Sequence, residues 1–218
     1  MSPAMVMGRW RGVAAPAPPG CALPWFPGIL QVGARHETRP WEEASHMGRE
    51  GSAVEDRAMP TVDAARFKSA LASFATGVTL ATTLADGEPH GITANAIMSV
   101  SLDPPLVALS IQQGTRMHAA LQRADNFALS VLAAEHAEVA RYFSDSTRPH
   151  DAAAFIQFPC RPAVTGAPLL DRALAHVDCR IVEAHPAGDH TLYLGQVVYS
   201  AIRPDGEPLL YFRKRFLG

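Results

Sequence analysis

The run Val78-Thr79-Leu80-Ala81-Thr82-Thr83-Leu84 is followed almost at once by Asp86-Gly87. A β-branched run of this kind suits a pleated strand. Asp-Gly is a tight hairpin turn whose left-handed backbone matches the twist of paired strands. The chain is therefore expected to reverse and pair antiparallel with the segment that starts near Pro89. A parallel neighbour would need a crossover of a dozen or more residues, which is not available there.

The same reading extends down the chain. Thr61 or Asp63 is placed to cap a helix whose Phe67, Leu71 and Phe74 recur about a turn apart, with Gly77 as its stop. Strands are expected over 106–111 and 127–132, and helices over 116–123 and 135–143. Residues 144–170 read as mixed loop, with Pro149, Pro159, Pro162 and Pro168. Two long strands, 173–184 and 190–202, flank a turn at Pro186-Ala187-Gly188-Asp189, and 208–212 is a final strand. Antiparallel strands with a few helices between them predict an α+β, mainly β barrel, not a Rossmann sheet.

Residues 1–58 differ from the rest. They carry Pro3, Pro16, Pro18, Pro19, Pro24, Pro27 and Pro40, and all three tryptophans, Trp10, Trp25 and Trp41. No strand or helix period persists, so this stretch reads as a disordered extension. Two explanations stand side by side: Met59 is the natural start, or the tryptophans anchor a partner-binding tail. The ordered domain is expected over 59–218.

Hydrophobic residues make up 48% of the chain and charged ones 18%, a globular balance. A net charge of -2 gives no pull on nucleic acid or anionic membrane. Cys21, Cys160 and Cys179 are too few and too scattered for a disulfide framework or a zinc finger. No apolar run nears the roughly 20 residues of a membrane span. Arg9 and Arg11 precede proline-broken sequence, not the apolar stretch of a secretory signal. A soluble, cytoplasmic protein is expected.

No G-x-G-x-x-G, P-loop, H-E-x-x-H or G-x-S-x-G occurs. His176 and Cys179, three apart on a strand, point to opposite faces and make no metal pair. His185 and His190 bracket a turn and are too few for a metal site. Thr76, Thr79, Thr82 and Thr83 read by themselves as ordinary strand threonines. Thr93, Asn95, Ser99 and Ser101 read as a strand end and its loop. Pattern alone yields a β-rich domain without a function.

Taken together, the segments resemble the flavin reductase-like family of FMN-binding split barrels. The resemblance rests on Phe74-Ala75-Thr76-Gly77-Val78-Thr79, His90-Gly91-Ile92-Thr93-Ala94-Asn95 and Ser99-Val100-Ser101-Leu102-Asp103-Pro104-Pro105-Leu106-Val107. It continues through Phe127-Ala128-Leu129-Ser130-Val131-Leu132, Gly188-Asp189-His190 with Gly195, and Pro208-Leu209-Leu210-Tyr211. Each element is weak by itself, and the series in order over about 64–216 is specific. The resemblance implies an antiparallel split β-barrel with short flanking helices. It implies a homodimer that binds FMN or FAD, oxidises NADH or NADPH, and supplies reduced flavin to a separate monooxygenase. It places Thr76, Gly77, Val78 and Thr79 near the flavin and Thr93, Ala94, Asn95 and Ala96 along the ring edge. Ser99, Ser110, Thr115 and Arg116 become candidates for the ribityl and phosphate groups, and His190 the residue beside the nicotinamide.

Four departures stand out. The family often has Ser at Ala96 and a Lys-Phe pair where Ala154-Phe155 stands; Lys214 replaces its usual Gly, and Phe216 its usual Tyr. A tightly flavinylated oxidase and a non-catalytic flavin- or haem-binding barrel are the alternatives.

Overall fold

The computed structural model describes residues 61–149 and 153–218; the extension read over 1–58 and the start at Met59 lie outside the described residues. Helix α1 (Ala64–Leu71) is capped by Asp63, whose carboxylate accepts the N–H groups of Ala65 and Arg66 at 3.3 and 3.2 Å. The helix ends at Ala72, five residues before the expected stop. Gly77 instead lies in the short strand β1 (Thr76–Gly77). β2 (Thr79–Ala85) turns through Asp86 and Gly87, with φ of 53° and 81°, into β3 (Glu88–Ala94). β4 (Ile97–Leu102) starts two residues later and turns at Asp103-Pro104 into β5 (Pro105–Gln112).

Then follow α2 (Arg116–Leu121), β6 (Asn126–Val131), a 3-10 turn (Ala134–His136) and α3 (Ala137–Ser144). The stretch read as loop over 144–170 also holds α4 (Ala153–Gln157) and a small hairpin, β7 (Cys160–Pro162) with β8 (Pro168–Leu170). Its prolines hid the hairpin: Pro162 and Pro168 face each other beside its turn, and neither can donate to the ladder. β9 (Ala175–Ala187) and β10 (His190–Ile202) leave only Gly188-Asp189 as their turn, tighter than expected. β11 (Leu210–Phe212) is followed by β12 (Arg215–Leu217), a strand that the sequence pattern did not reveal.

One sheet runs β3-β2-β6-β9-β10-β5-β4. Laid flat, seven strands would put β3 and β4 about 29 Å apart. Yet only Asn95-Ala96 joins those two edges, and three Cα steps span about 10 Å. The sheet must therefore roll up. Ala96 stands on the seam, its carbonyl accepting the Ser110 N–H of β5 at 3.0 Å.

Inside the roll pack Ala81, Leu109, Ile111, Phe127, Leu129, Cys179 and Tyr193, with Met117 and Leu121 from α2. A second cluster lies outside β2: Val78 and Leu80 against Val139, Ala140 and Phe143 of α3, Phe158, Leu170 and Leu209. β2 is thus buried on both faces, which explains its threonines. Thr82 donates to the Pro168 carbonyl and Thr83 to the Asn126 carbonyl at 2.8 Å, each tying β2 to a neighbour. Asp178, fully buried on β9, accepts from the Thr165 N–H and hydroxyl at 2.9 and 2.6 Å and so holds the β7–β8 loop. Burial pushes its pKa up against those bonds.

Candidate active site

The seam leaves β3 as an open edge. Val78 accepts from Leu132 at 2.9 Å, so the backbone groups of Val78, Leu80 and Thr82 face β6. Those of Thr79, Ala81 and Thr83 then face β3, where they meet Ala94, Ile92 and His90. By the same alternation Gly91 and Thr93 present their N–H and C=O outward, away from β2.

Two hollows lie end to end along that edge. The larger, about 360 Å³, is lined by Val78, Thr93, Ala94, Asn95, Ser144, Tyr211, Lys214 and Phe216. Its size and mixture of aromatic faces with a few polar groups suit a small-molecule site. Tyr211 and Phe216 are cross-strand partners of the C-terminal hairpin, with ring centroids 5.4 Å apart. The opposite wall is held by three side-chain bonds. Thr79 donates to the Ala94 carbonyl at 2.7 Å, Thr93 to the Ala140 carbonyl at 2.8 Å, and the Asn95 amide to the Thr76 hydroxyl at 3.1 Å.

The smaller hollow, about 30 Å³, lies against Pro89, His90 and Gly91 and is walled by Phe143, Phe155 and two arginines. Arg116 donates through Nη1 to the Arg148 carbonyl at 3.0 Å, while its buried Nη2 has no hydrogen-bond partner. Arg148 donates to the Gly91 carbonyl and stacks on Phe143, its guanidinium 5.2 Å from the ring centroid. Burial, then the neighbouring Arg116 charge, holds the Arg148 pKa below its ordinary value. Among the described residues no carboxylate lies within ion-pair distance of either guanidinium. Two converging cations whose neighbouring carboxylate, Asp145, makes no ion pair with either are suited to an oxyanion.

A family model described as a flavin reductase like domain matches residues 71–218. The chain belongs to this family. It is 38% identical over 160 residues to an NADH-dependent flavin reductase of a Rhodococcus species, covering 72% of this chain and 87% of that one. It is 35% identical to the reductase subunit of a flavin-dependent monooxygenase of Rhodococcus jostii, covering 74% and 80%. The fold superposes with a TM-score of 0.66 and 35% identity on an NADH:FAD oxidoreductase of Streptomyces globisporus solved with NAD and FAD fragments, covering 73% and 96%.

Within this flavin reductase-like domain the sequence-derived residues fall into three places. Val78, Thr93, Ala94 and Asn95 line the larger hollow, with Thr76 and Thr79 bonded to that wall and Gly77 between them. Arg116 lines the smaller one. Ala96, Ser99 and Ser110 lie on the seam and on β4 and β5, outside the lining of both. Thr115 is the N-cap of α2, accepting the His118 N–H at 3.2 Å and donating to the Gln112 carbonyl at 2.8 Å. His190 starts β10 at the hairpin tip, its Nδ1 2.8 Å from Asp189. His185 instead pairs with Glu183 at 2.6 Å, so the two histidines do not face each other.

Sequence reading missed Arg148, Ser144 and Tyr211 as site residues and met Lys214 and Phe216 only as departures from the family pattern. Arg148 lies in the stretch read as loop, where no period marks a side chain for burial. The C-terminal residues were visible as a strand and a departure, but their role depends on a hairpin closing over the far end of the chain.

Proposed function

We propose that the chain is an NADH-dependent flavin reductase that hands reduced flavin to a separate monooxygenase component. The observation that carries this is the larger hollow: an open backbone edge at Thr93 facing an aromatic wall of Tyr211 and Phe216. A flat heteroaromatic ring needs both features. Family membership and the likeness to NADH-dependent flavin reductases support it. FMN or FAD fits this donor set, with the ring at Thr93, Ala94 and Asn95 and the phosphate at Arg116.

When bound, the flavin supplies the ring that takes a hydride at N5 from the nicotinamide C4. The protein's part is placement. Thr76, Gly77, Val78 and Thr79 back the wall that carries Asn95. The outward Thr93 N–H and those of the Asn95-Ala96 seam are the donors for the ring carbonyls and their growing charge. Thr115 positions Arg116 by capping its helix, and Ser99 and Ser110, outside the lining of both hollows, are left without a ligand role. His190, braced by Asp189, orients the nicotinamide or moves a proton. The hydride donor is NADH or NADPH.

The chain is proposed to work as a homodimer. Helix α1 buries none of its residues and exposes Phe67 and Leu71, with Phe74 exposed just beyond its end, while β4 exposes Met98, Val100 and Leu102. So short a helix is marginal alone, and a second copy covers both surfaces.

NADH and NADPH consumption by the purified protein, with FMN, FAD or no added flavin, tests the function. Saturable dependence on added flavin is expected. Consumption without added flavin would instead mark a tightly held group, and none under any condition would refute the reductase reading.

A further inference from the structure

Lys214 stands where the backbone asks for no side chain. Arg213 and Lys214 join β11 to β12 with φ of 46° and 63°, the left-handed pair of a turn that Asn-Gly or Gly-Gly makes without strain. Left-handed non-glycine residues are costly and gather at ligand sites. Lys214 is a wall of the larger hollow, beside Tyr211 and Phe216. Among the described residues its ammonium has no ion pair. The turn is fixed around it: the Arg213 N–H donates to the Ala72 carbonyl at 2.9 Å, and the Arg213 guanidinium stacks 5.0 Å from the Phe212 ring centroid. Arg213, Lys214 and Arg215 thus form a cationic run whose middle member faces the hollow.

Such a charge calls for an anion, and two ligands bring phosphates. If the flavin phosphate goes to Arg116 and Arg148, it lies at the Pro89–Gly91 end of β3. Lys214 lines the hollow at the Thr93–Asn95 end. We propose that Lys214 binds a phosphate of the nicotinamide dinucleotide. This rests on the flavin reductase reading. The phosphate is either the pyrophosphate shared by NADH and NADPH or the 2′-phosphate carried by NADPH alone.

The test uses the full chain and the variants K214Q, K214R and K214G, with ADP-ribose and 2′-phospho-ADP-ribose as non-reacting probes in calorimetric titrations. K214Q weakens probe binding and raises the KM for the dinucleotide by about two- to fivefold, the range of an exposed ion pair. K214R keeps both, and the flavin KM is unchanged in each. K214G loses the probe as K214Q does, yet melts at a higher temperature because its backbone is relieved. Weakening of both probes assigns the pyrophosphate, and weakening of the phosphorylated probe alone assigns the 2′-phosphate. Unchanged binding of both probes to K214Q overturns the proposal, as does weaker FMN against unchanged riboflavin. Failure of the functional reading looks different: the unaltered protein would oxidise neither dinucleotide with either flavin.

Discussion

Substituting Arg116→Gln probes the phosphate end of the site. Gln keeps an amide near the Arg148 carbonyl that Nη1 holds at 3.0 Å, but removes the charge and the buried, unpartnered Nη2. A hydrogen bond from that nitrogen to a phosphate oxygen is charge-assisted and worth about 1.5–3 kcal/mol. Losing it corresponds to about 10- to 150-fold in the dissociation constant. The hollow is open to solvent on one side, so the lower part of that range applies. Quenching of flavin fluorescence, titrated with FMN and with riboflavin, separates the phosphate from the ring. FMN should weaken by about tenfold or more in R116Q, while riboflavin, which has no phosphate, should bind the variant as it binds the parent. Equal weakening of both, or of neither, would refute the assignment of Arg116 to the phosphate.

Three further outcomes follow from the packing and the charges. At Gly195 a Cβ would lie 2.5 Å from the buried Phe127 ring and 2.8 Å from the Cys179 Cβ. G195A should cost about 1–2 kcal/mol net, or about 3–8 °C in melting temperature, and cost less in an F127L background; an unchanged melting point refutes the contact. His136 Nδ1 accepts the Ala133 N–H at 3.1 Å, and burial lowers its pKa, as it does for His176. Both favour the neutral ring in the fold, so their stability contribution is full above about pH 6.5 and is lost as pH falls towards their lowered values. Asp178 runs the opposite way at lower pH, its raised pKa favouring the fold as the carboxyl protonates. Urea midpoints at pH 7.5 and 5.5 should therefore differ less in H136N than in the parent, and an equal drop in both would refute the role of His136. Finally, L102E places a charge on a side chain 89% exposed at the end of β4. Sedimentation should give a dimer for the parent and a monomer for L102E with little loss of melting temperature; a monomeric parent refutes the interface.

Much of the barrel was legible because its turns are local. Asp86-Gly87 and Gly188-Asp189 announce hairpins from a few residues, and both stand where turns were expected. The string of family-like segments identified the fold and activity class, and five of its residues, Val78, Thr93, Ala94, Asn95 and Tyr211, line the larger hollow. The rest depends on partners distant in the chain. Nothing local says that β1 pairs with β11, so Gly77 read as a helix stop. Thr115 offered a hydroxyl of the right kind for a ligand, but that hydroxyl already caps α2. Arg148 is brought to the site through the Gly91 carbonyl, 57 residues away, and the Phe143 ring.

The Asn95-Ala96 seam acts as a ruler. An added residue there would let the two sheet edges part, and a deletion would shear the Ala96 to Ser110 bond that pins them. Because the larger hollow is built on the same residues, insertion or deletion at this point damages closure and binding together.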